Sequence, residues 1–162
     1  MVFQLIEELK LLDIEYLISP YESDAQLAFL SLSKYVDVVI TEDSDALVYG
    51  CRCVLYKLDP SGYGEEIKRR SLGANEGLNF LNWSDEQFKL MCCLAGCDYA
   101  PKIRNVGIVT AHKIVNEHKT INRIVDALRH SKYEGISDEY IQQVSEKYLH
   151  LLLITYPLLC LS

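Results

Sequence analysis

A run of apolar β-branched residues, Val38–Ile40, leads directly into the acidic segment Thr41–Asp45. Residues of this kind favour a buried strand. In an open α/β sheet, ligands bind beyond the carboxyl ends of the strands, so this strand would carry Asp43 and Asp45 to the edge where sites form. Two carboxylates in one turn repel each other, and a hard cation such as Mg²⁺ relieves that repulsion. The segment therefore predicts a cation site, with a solvated acidic turn as the simpler alternative.

A second acidic pair follows another apolar segment. Ile14–Ser19 is predicted to be a strand that Pro20 ends, and Glu22 and Asp24 come directly after it. The spacing of apolar residues beyond them predicts a helix over Ala25–Lys34. These two acids are candidate metal ligands, or they simply cap that helix and offset its dipole.

A third acidic position, Asp98, follows a predicted helix. That helix begins with the capping-box pattern Ser84–Gln87 and ends at Gly96. The alternation of helices and strands indicates an α/β fold with parallel strands. Three separate turns therefore supply the candidate ligands, which are Glu22, Asp24, Asp43, Asp45 and Asp98.

Shorter signals complete the outline of the chain. Apolar spacing predicts a helix over Val2–Leu12 and further helices after the capping residues Thr120 and Ser137. Alternating residues predict strands over Cys51–Leu58 and Glu65–Arg70, joined through a turn at Asp59–Gly62.

Three segments that contain the acidic positions resemble, in the same order, one known family. They are Ser19–Ala28, Ile40–Asp45 and Ala95–Tyr99. Together they resemble the internal nuclease region of the flap-endonuclease (XPG-type) family, over roughly Leu5–Leu128. The residues around Met91–Tyr99 are most similar to the 5′–3′ exonuclease branch of that family. Three ordered motifs are specific where one alone is weak.

The resemblance implies a fold, a reaction and a substrate. The fold would be an α/β, parallel-sheet (PIN-like) nuclease core over residues 1–83 followed by an all-helical helix-two-turn-helix region over residues 84–162. The reaction would be phosphodiester hydrolysis with two Mg²⁺ ions about 3.5–4 Å apart, for which Mn²⁺ substitutes. All five acids would be catalytic metal ligands, with no covalent nucleophile. The substrate would be DNA with a free 5′ end, nick or flap, cleaved during repair in the nucleus.

The same resemblance implies a second contact with DNA. Val106, Gly107 and Lys113 lie in the matching helix-two-turn-helix turn, which in the family holds the duplex backbone through amide groups and a bound K⁺ ion. This chain departs from the family pattern at Asn105, usually Gly, and at Ala95, where the exonuclease branch has Ser. Small residues at a helix start let amide groups approach a phosphate closely. A plain packing hairpin is the alternative.

Family members carry further parts upstream of the matching region. These are the first strands, a helical arch, two more metal-binding aspartates, and the Lys and Arg that clamp the scissile phosphate. The chain is therefore expected to be a fragment of a longer nuclease or a short protein that has lost part of the site. A catalytically inactive DNA-binding module and a small-molecule metal phosphatase stay open as other classes.

Composition bears on the choice between these classes. The 162 residues are 49% hydrophobic, enough for the core of one domain, and the formal net charge of −7 favours weak DNA affinity. The densest basic run, Lys68–Arg70, is either a solvated face or a phosphate contact. Six cysteines without paired zinc-ligand spacing indicate reduced thiols. The apolar stretch Leu149–Leu161 is too short for a membrane span.

Overall fold

The computed structural model describes residues 2–20, 22–96, 106–130 and 136–154. Within these ranges, the chain forms helices and, near its middle, a small sheet of three strands. The elements in chain order are α1 (Val2–Leu11), α2 (Ser23–Leu32), β1 (Val39–Ile40), α3 (Asp45–Tyr49), β2 (Cys53–Tyr56), β3 (Glu65–Lys68), a 3₁₀ helix (Arg69–Ala74), α4 (Asp85–Ala95), α5 (Ile108–His118), α6 (Ile121–Arg129) and α7 (Asp138–Ile154). Among the residues described, no helix has the length and apolar character that crossing a membrane requires.

The sheet has the order β1-β2-β3 and is mixed, where the sequence predicted parallel strands. Strands β1 and β2 are parallel as expected, with Val39 opposite Val54. Strand β3 runs antiparallel to β2, because the turn at Asp59–Gly62 reverses the chain within a few residues and a parallel partner would need a long crossover. In that turn the Gly62 N–H donates to the Asp59 carbonyl at 3.0 Å.

The predicted strand over Ile14–Ser19 is wrong, because this segment has no regular secondary structure and pairs with no described strand. Its large apolar side chains are exposed, with Ile18 at 69%. Strand β1 is also shorter and less buried than predicted, since only Val39 of its residues lies in the core. An apolar pattern favours a strand, but the strand forms only where a neighbour supplies the ladder hydrogen bonds.

The core runs through most of the described elements and crosses the domain boundary predicted after residue 83. It packs strand residues from β1 and β2 against helices α2 to α7. Fully or nearly fully buried members include Ala28, Val39, Val54, Leu90, Leu94, Val115, Ile124 and Val144. The division into residues 1–83 and 84–162 stays a prediction, but the two halves share this apolar cluster.

Helix α4 begins and ends where its sequence signals predicted. The Ser84 hydroxyl accepts the Gln87 N–H at 3.2 Å, and the Gln87 side chain accepts the Ser84 N–H at 2.9 Å. Such a cap contributes about 1 kcal/mol. Gly96 ends the helix with a φ of 110°, a conformation that glycine adopts without strain.

Arg69 joins the sheet region to the helical region. Its guanidinium donates to the Leu47 carbonyl in α3, pairs with the Asp85 carboxylate at 2.9 Å, and lies 5.1 Å from the centre of the Phe88 ring. The Arg69 side chain is only 13% exposed, so it belongs neither to a solvated face nor to a phosphate patch. The neighbouring Lys68 pairs with Glu66 at 2.6 Å. Of the basic run, Arg69 is therefore part of the packing, whereas Arg70 is exposed.

Candidate metal centre and nucleic-acid interface

Glu22 and Asp24 lie at the beginning of α2, on the first of the acidic turns. Glu22 is the N-cap residue, but its side chain makes no capping hydrogen bond. Instead, the carboxylate of Glu22 accepts the hydroxyl of Tyr49 at 2.5 Å. The simple capping role considered for this acid is therefore wrong for Glu22, and the carboxylate faces α3 rather than its own helix.

Asp24 shows that acids from two separate segments share one environment. Partial burial raises the pKa of this carboxyl group, and the neighbouring carboxylates of Asp43 and Glu22 raise the pKa further. Each of these effects disfavours a second negative charge in the same space. The fold thus brings Glu22 and Asp24 of one turn close to Asp43 of another.

The second acidic turn is held by its own hydrogen bonds. The Asp43 N–H donates to the Thr41 hydroxyl at 3.0 Å, and the Asp45 N–H donates to the Asp43 carboxylate at 2.9 Å. The Glu42 carboxylate accepts the Lys57 N–H at 2.7 Å, which directs Glu42 toward the end of β2. Asp45 is the first residue of α3 and is partly buried. These hydrogen bonds therefore fix the backbone at the candidate ligands Asp43 and Asp45.

Burial and the negative charges of these acidic turns together raise the pKa values of two neighbouring side chains, Tyr56 and Cys51. Burial raises the pKa of the Tyr56 phenol, and the charges of Cys51, Asp43, Asp45 and Glu42 raise it further. Burial also raises the pKa of the Cys51 thiol to about 11, with the Asp24 carboxylate adding to the effect. At neutral pH and without metal, Cys51 is therefore a protonated thiol.

The chemistry of this donor set fits a hard divalent cation. Carboxylate oxygens that repel one another are the ligands that Mg²⁺ and Mn²⁺ prefer. Within the described ranges, no three His, Cys, Asp or Glu side chains are arranged so that they alone could hold an ion. Asp98, the fifth candidate ligand, lies outside the described residues. The assignment of the five acids as ligands stays a prediction.

The candidate DNA contact lies at the start of α5, on a separate turn. The side chain of Val106 is buried in the core, so any contact it makes with DNA would come from its backbone. Gly107 is exposed and is the N-cap residue, with φ −98° and ψ −176°, and a Cβ atom there would meet nothing within 4 Å. Lys113 is exposed on the same helix. Asn105, the predicted departure from the family turn, lies outside the described residues.

Sequence reasoning missed two residues that support these sites. Tyr49 binds Glu22, and its spacing of four residues from Asp45 was the available signal, because such a pair shares one face of a helix. His112 stacks on Trp83 at 4.5 Å with an interplanar angle of 8°, and its Nε2 atom lies 2.8 Å from the Asn79 carbonyl. No local pattern indicates His112, because its partners lie in a distant loop.

Solved structures share this fold. Flap endonuclease-1 from Methanococcus jannaschii matches with a TM-score of 0.70 and 23% identity, over 91% of this chain and 43% of that one. GEN-1 binding with potassium matches with a TM-score of 0.67 and 21% identity, over 93% and 44%. GEN1 in complex with product DNA and Mg²⁺ matches with 0.63 and 22%, over 88% and 41%. The fold is that of the flap-endonuclease class of nuclease cores.

Sequence comparison narrows this class. Exonuclease 1 of Arabidopsis thaliana is 37% identical over 134 residues, 83% of this chain and 18% of that protein. The DNA damage-inducible protein DIN7 of Saccharomyces cerevisiae is 36% identical over 141 residues, 86% of this chain and 33% of that protein. The family model of the XPG I-region matches residues 13–98. The chain belongs to the XPG I-region family, and it spans at most a third of the length of these two relatives.

Proposed function

We propose that the chain is the internal nuclease region of a metal-dependent 5′–3′ DNA exonuclease or 5′-flap endonuclease. The observation that carries this proposal is that Asp24 of one acidic turn is within reach of the charge of Asp43 on another: partial burial raises the pKa of Asp24, and the carboxylates of Asp43 and Glu22 raise it further. The similarity to exonuclease 1 and DIN7 supports the choice of reaction.

In this proposal the acids hold two Mg²⁺ ions, and Mn²⁺ substitutes for them. Glu22, Asp24, Asp43, Asp45 and Asp98 are the ligands, and the ions when bound activate water and neutralise the leaving oxygen. The chain itself holds the ligand side chains in place. The hydrogen bonds of Asp43 and Asp45 hold one acidic turn, and α2 holds Glu22 and Asp24. No side chain has to act as a covalent nucleophile.

The substrate in this proposal is DNA with a free 5′ end, nick or flap. The exposed start of α5 offers amide groups at Gly107 and the charge of Lys113 to the phosphate backbone, and K⁺ is assigned to the same turn. The structures of GEN1 with product DNA and Mg²⁺ and of GEN-1 with potassium support these assignments. We also propose a role in DNA repair in the nucleus.

A catalytically inactive DNA-binding module of the same fold is the second candidate. The formal net charge of −7 disfavours strong binding of DNA by the chain alone, and the described residues hold no complete group of three metal ligands. Such a module would keep the α5 turn and lose its dependence on metal.

The experiment that tests the proposal measures affinity for a 5′-flap duplex with EDTA and with Ca²⁺, a hard cation that takes oxygen ligands. We expect Ca²⁺ to raise the affinity of the natural chain and to leave that of Asp43→Ala/Asp45→Ala unchanged. Flap affinity that is equal with EDTA and Ca²⁺ identifies the inactive module instead. No measurable affinity for the flap, together with Ca²⁺ binding, favours a small-molecule metal phosphatase.

A further inference from the structure

The phenol of Tyr49 contacts the candidate metal centre from inside the core. Tyr49 is the last residue of α3 and is only 2% exposed. Its hydroxyl donates to Oε2 of Glu22 at 2.5 Å, although the two residues are 27 positions apart in the chain. A hydroxyl that donates to a charged carboxylate makes one of the stronger hydrogen bonds in proteins.

Contacts on both the helix and the residue after it hold α3, which carries Tyr49, in place. Arg69 donates to the Leu47 carbonyl, and the next residue after the helix, Gly50, adopts a φ of 108° and donates to the same carbonyl at 3.2 Å. Ala46 within the helix and Cys51 shortly after it are fully buried. The backbone that carries Tyr49 is therefore packed in the core together with its ring.

We infer that Tyr49 is a positioning residue that orients the Glu22 carboxylate toward a bound divalent metal ion. This inference rests on the proposed function, because it takes Glu22 to be a ligand. The hydrogen bond uses part of the acceptor capacity of Oε2, and it restricts the Glu22 side chain, which would otherwise lose rotamer freedom when a metal binds. Groups that orient ligating carboxylates in this way typically change metal affinity by 10–100-fold.

Tyr49→Phe tests this inference because it removes only the hydroxyl and keeps the buried ring. We expect Mn²⁺ affinity, measured by calorimetry, to fall by about tenfold, the lower end for such groups. The melting temperature without metal should stay close to that of the natural chain. The matched control is Tyr148→Phe, which removes the hydroxyl of another buried tyrosine, on α7, and should leave Mn²⁺ affinity unchanged.

A double-mutant cycle with Glu22→Ala separates orientation of the ligand from a general effect on packing. If Tyr49 acts through Glu22, Tyr49→Phe has no further effect on the weakened Mn²⁺ affinity of Glu22→Ala. An equal loss in both backgrounds assigns Tyr49 to packing alone and overturns the inference. Unchanged affinity of Tyr49→Phe also overturns it.

The failure of this inference can be told apart from the failure of the proposed function. If Asp43→Ala/Asp45→Ala abolishes Mn²⁺ binding while Tyr49→Phe retains it in full, the metal centre stands and only the role of Tyr49 is lost. If Asp43→Ala/Asp45→Ala binds Mn²⁺ as well as the natural chain, the acids are not the site and both proposals fail.

Discussion

At the scale of single residues, Asp24 links the stability of the fold to its candidate metal site. Its first-turn position in α2 favours a negative charge through the helix dipole. Burial and the charges of Asp43 and Glu22 act in the opposite direction and outweigh it, because the pKa of Asp24 is raised. Without metal, the ionised carboxylate therefore disfavours the folded state.

Asp24→Asn should stabilise the metal-free protein at neutral pH. An acid whose folded-state pKa is raised binds its proton more tightly in the folded state, so stability falls as the pH rises through that pKa. The gain from Asn is complete above the raised pKa and is lost below 3.8, the ordinary pKa of an aspartate side chain. We expect a rise in melting temperature of about 1–3 °C at pH 7.5, since the site is largely open to solvent.

Thermal unfolding in EDTA at pH 7.5 and at pH near 4 checks this expectation. The matched control is Asp37→Asn, at an exposed position outside the acidic turns, which should change the melting temperature little at either pH. A gain for Asp24→Asn that is the same at both pH values would rule out charge repulsion as its source.

At the scale of elements, the contact of Arg69 with α3 and α4 sets how the sheet region meets the helical region. Arg69→Ala removes the hydrogen bond to Leu47, the contact with the Phe88 ring and the ion pair with Asp85. The ion pair adds little because the Asp85 side chain is 78% exposed. We expect a loss of about 1–2 kcal/mol in the free energy of unfolding.

Arg70→Ala is the matched control, because Arg70 is the adjacent arginine and is exposed. Urea unfolding of the two variants should show a lower midpoint for Arg69→Ala and an almost unchanged midpoint for Arg70→Ala. Equal midpoints would show that the packing role assigned to Arg69 is wrong.

The turn before α5 allows a test of DNA contact that is free of backbone strain. Gly107 has a negative φ and open space beside it, so Gly107→Val requires no change of backbone conformation. The valine side chain would hinder a phosphate from reaching the amide groups of the first turn. We expect affinity for duplex DNA at low salt to fall about fivefold, equivalent to roughly 1 kcal/mol for one lost hydrogen bond.

Thr120→Val supplies the control for Gly107→Val. Thr120 is the N-cap residue of α6 and, like Gly107, makes no side-chain capping hydrogen bond. Thr120→Val therefore also places a valine at an N-cap position, but away from the candidate DNA turn. It should leave DNA affinity unchanged. A loss of stability in Gly107→Val with unaltered DNA affinity would assign the turn to packing alone.

The elements that the sequence predicted correctly carry local signals. The capping box at Ser84 and the turn at Asp59–Gly62 are fixed by hydrogen bonds within a few residues. The strand expected over Ile14–Ser19 failed because a strand depends on a neighbour that no local pattern supplies. The contact of Arg69 with Leu47 was missed for the same reason, since the two residues are distant in sequence. The spacing of Tyr49 from Asp45 was a local signal, but it did not indicate the distant partner Glu22. The acidic positions were found because the resemblance marked them, and the structure brings Glu22, Asp24 and Asp43 together.

At the scale of the whole molecule, the chain combines an excess of acidic residues with a continuous apolar core. No strongly basic segment balances the acidic residues of the candidate metal centre. The net charge of −7 includes the acids of the candidate centre, and bound divalent ions would reduce it. The core packs α4, which leads toward Asp98, against α5, which begins at the candidate DNA turn. The candidate metal centre and the candidate DNA turn therefore belong to one packed unit.

Calorimetric titration of the natural chain and of Asp43→Ala/Asp45→Ala with Mn²⁺ tests the central claim most directly. The claim is that acids from separate turns form one metal centre, and both substituted acids lie on the turn that faces Asp24. We expect Mn²⁺ binding by the natural chain and none by the double variant, whose metal-free melting temperature should be equal or higher because repulsion is removed. Mn²⁺ affinity that is the same in the folded double variant would contradict the claim.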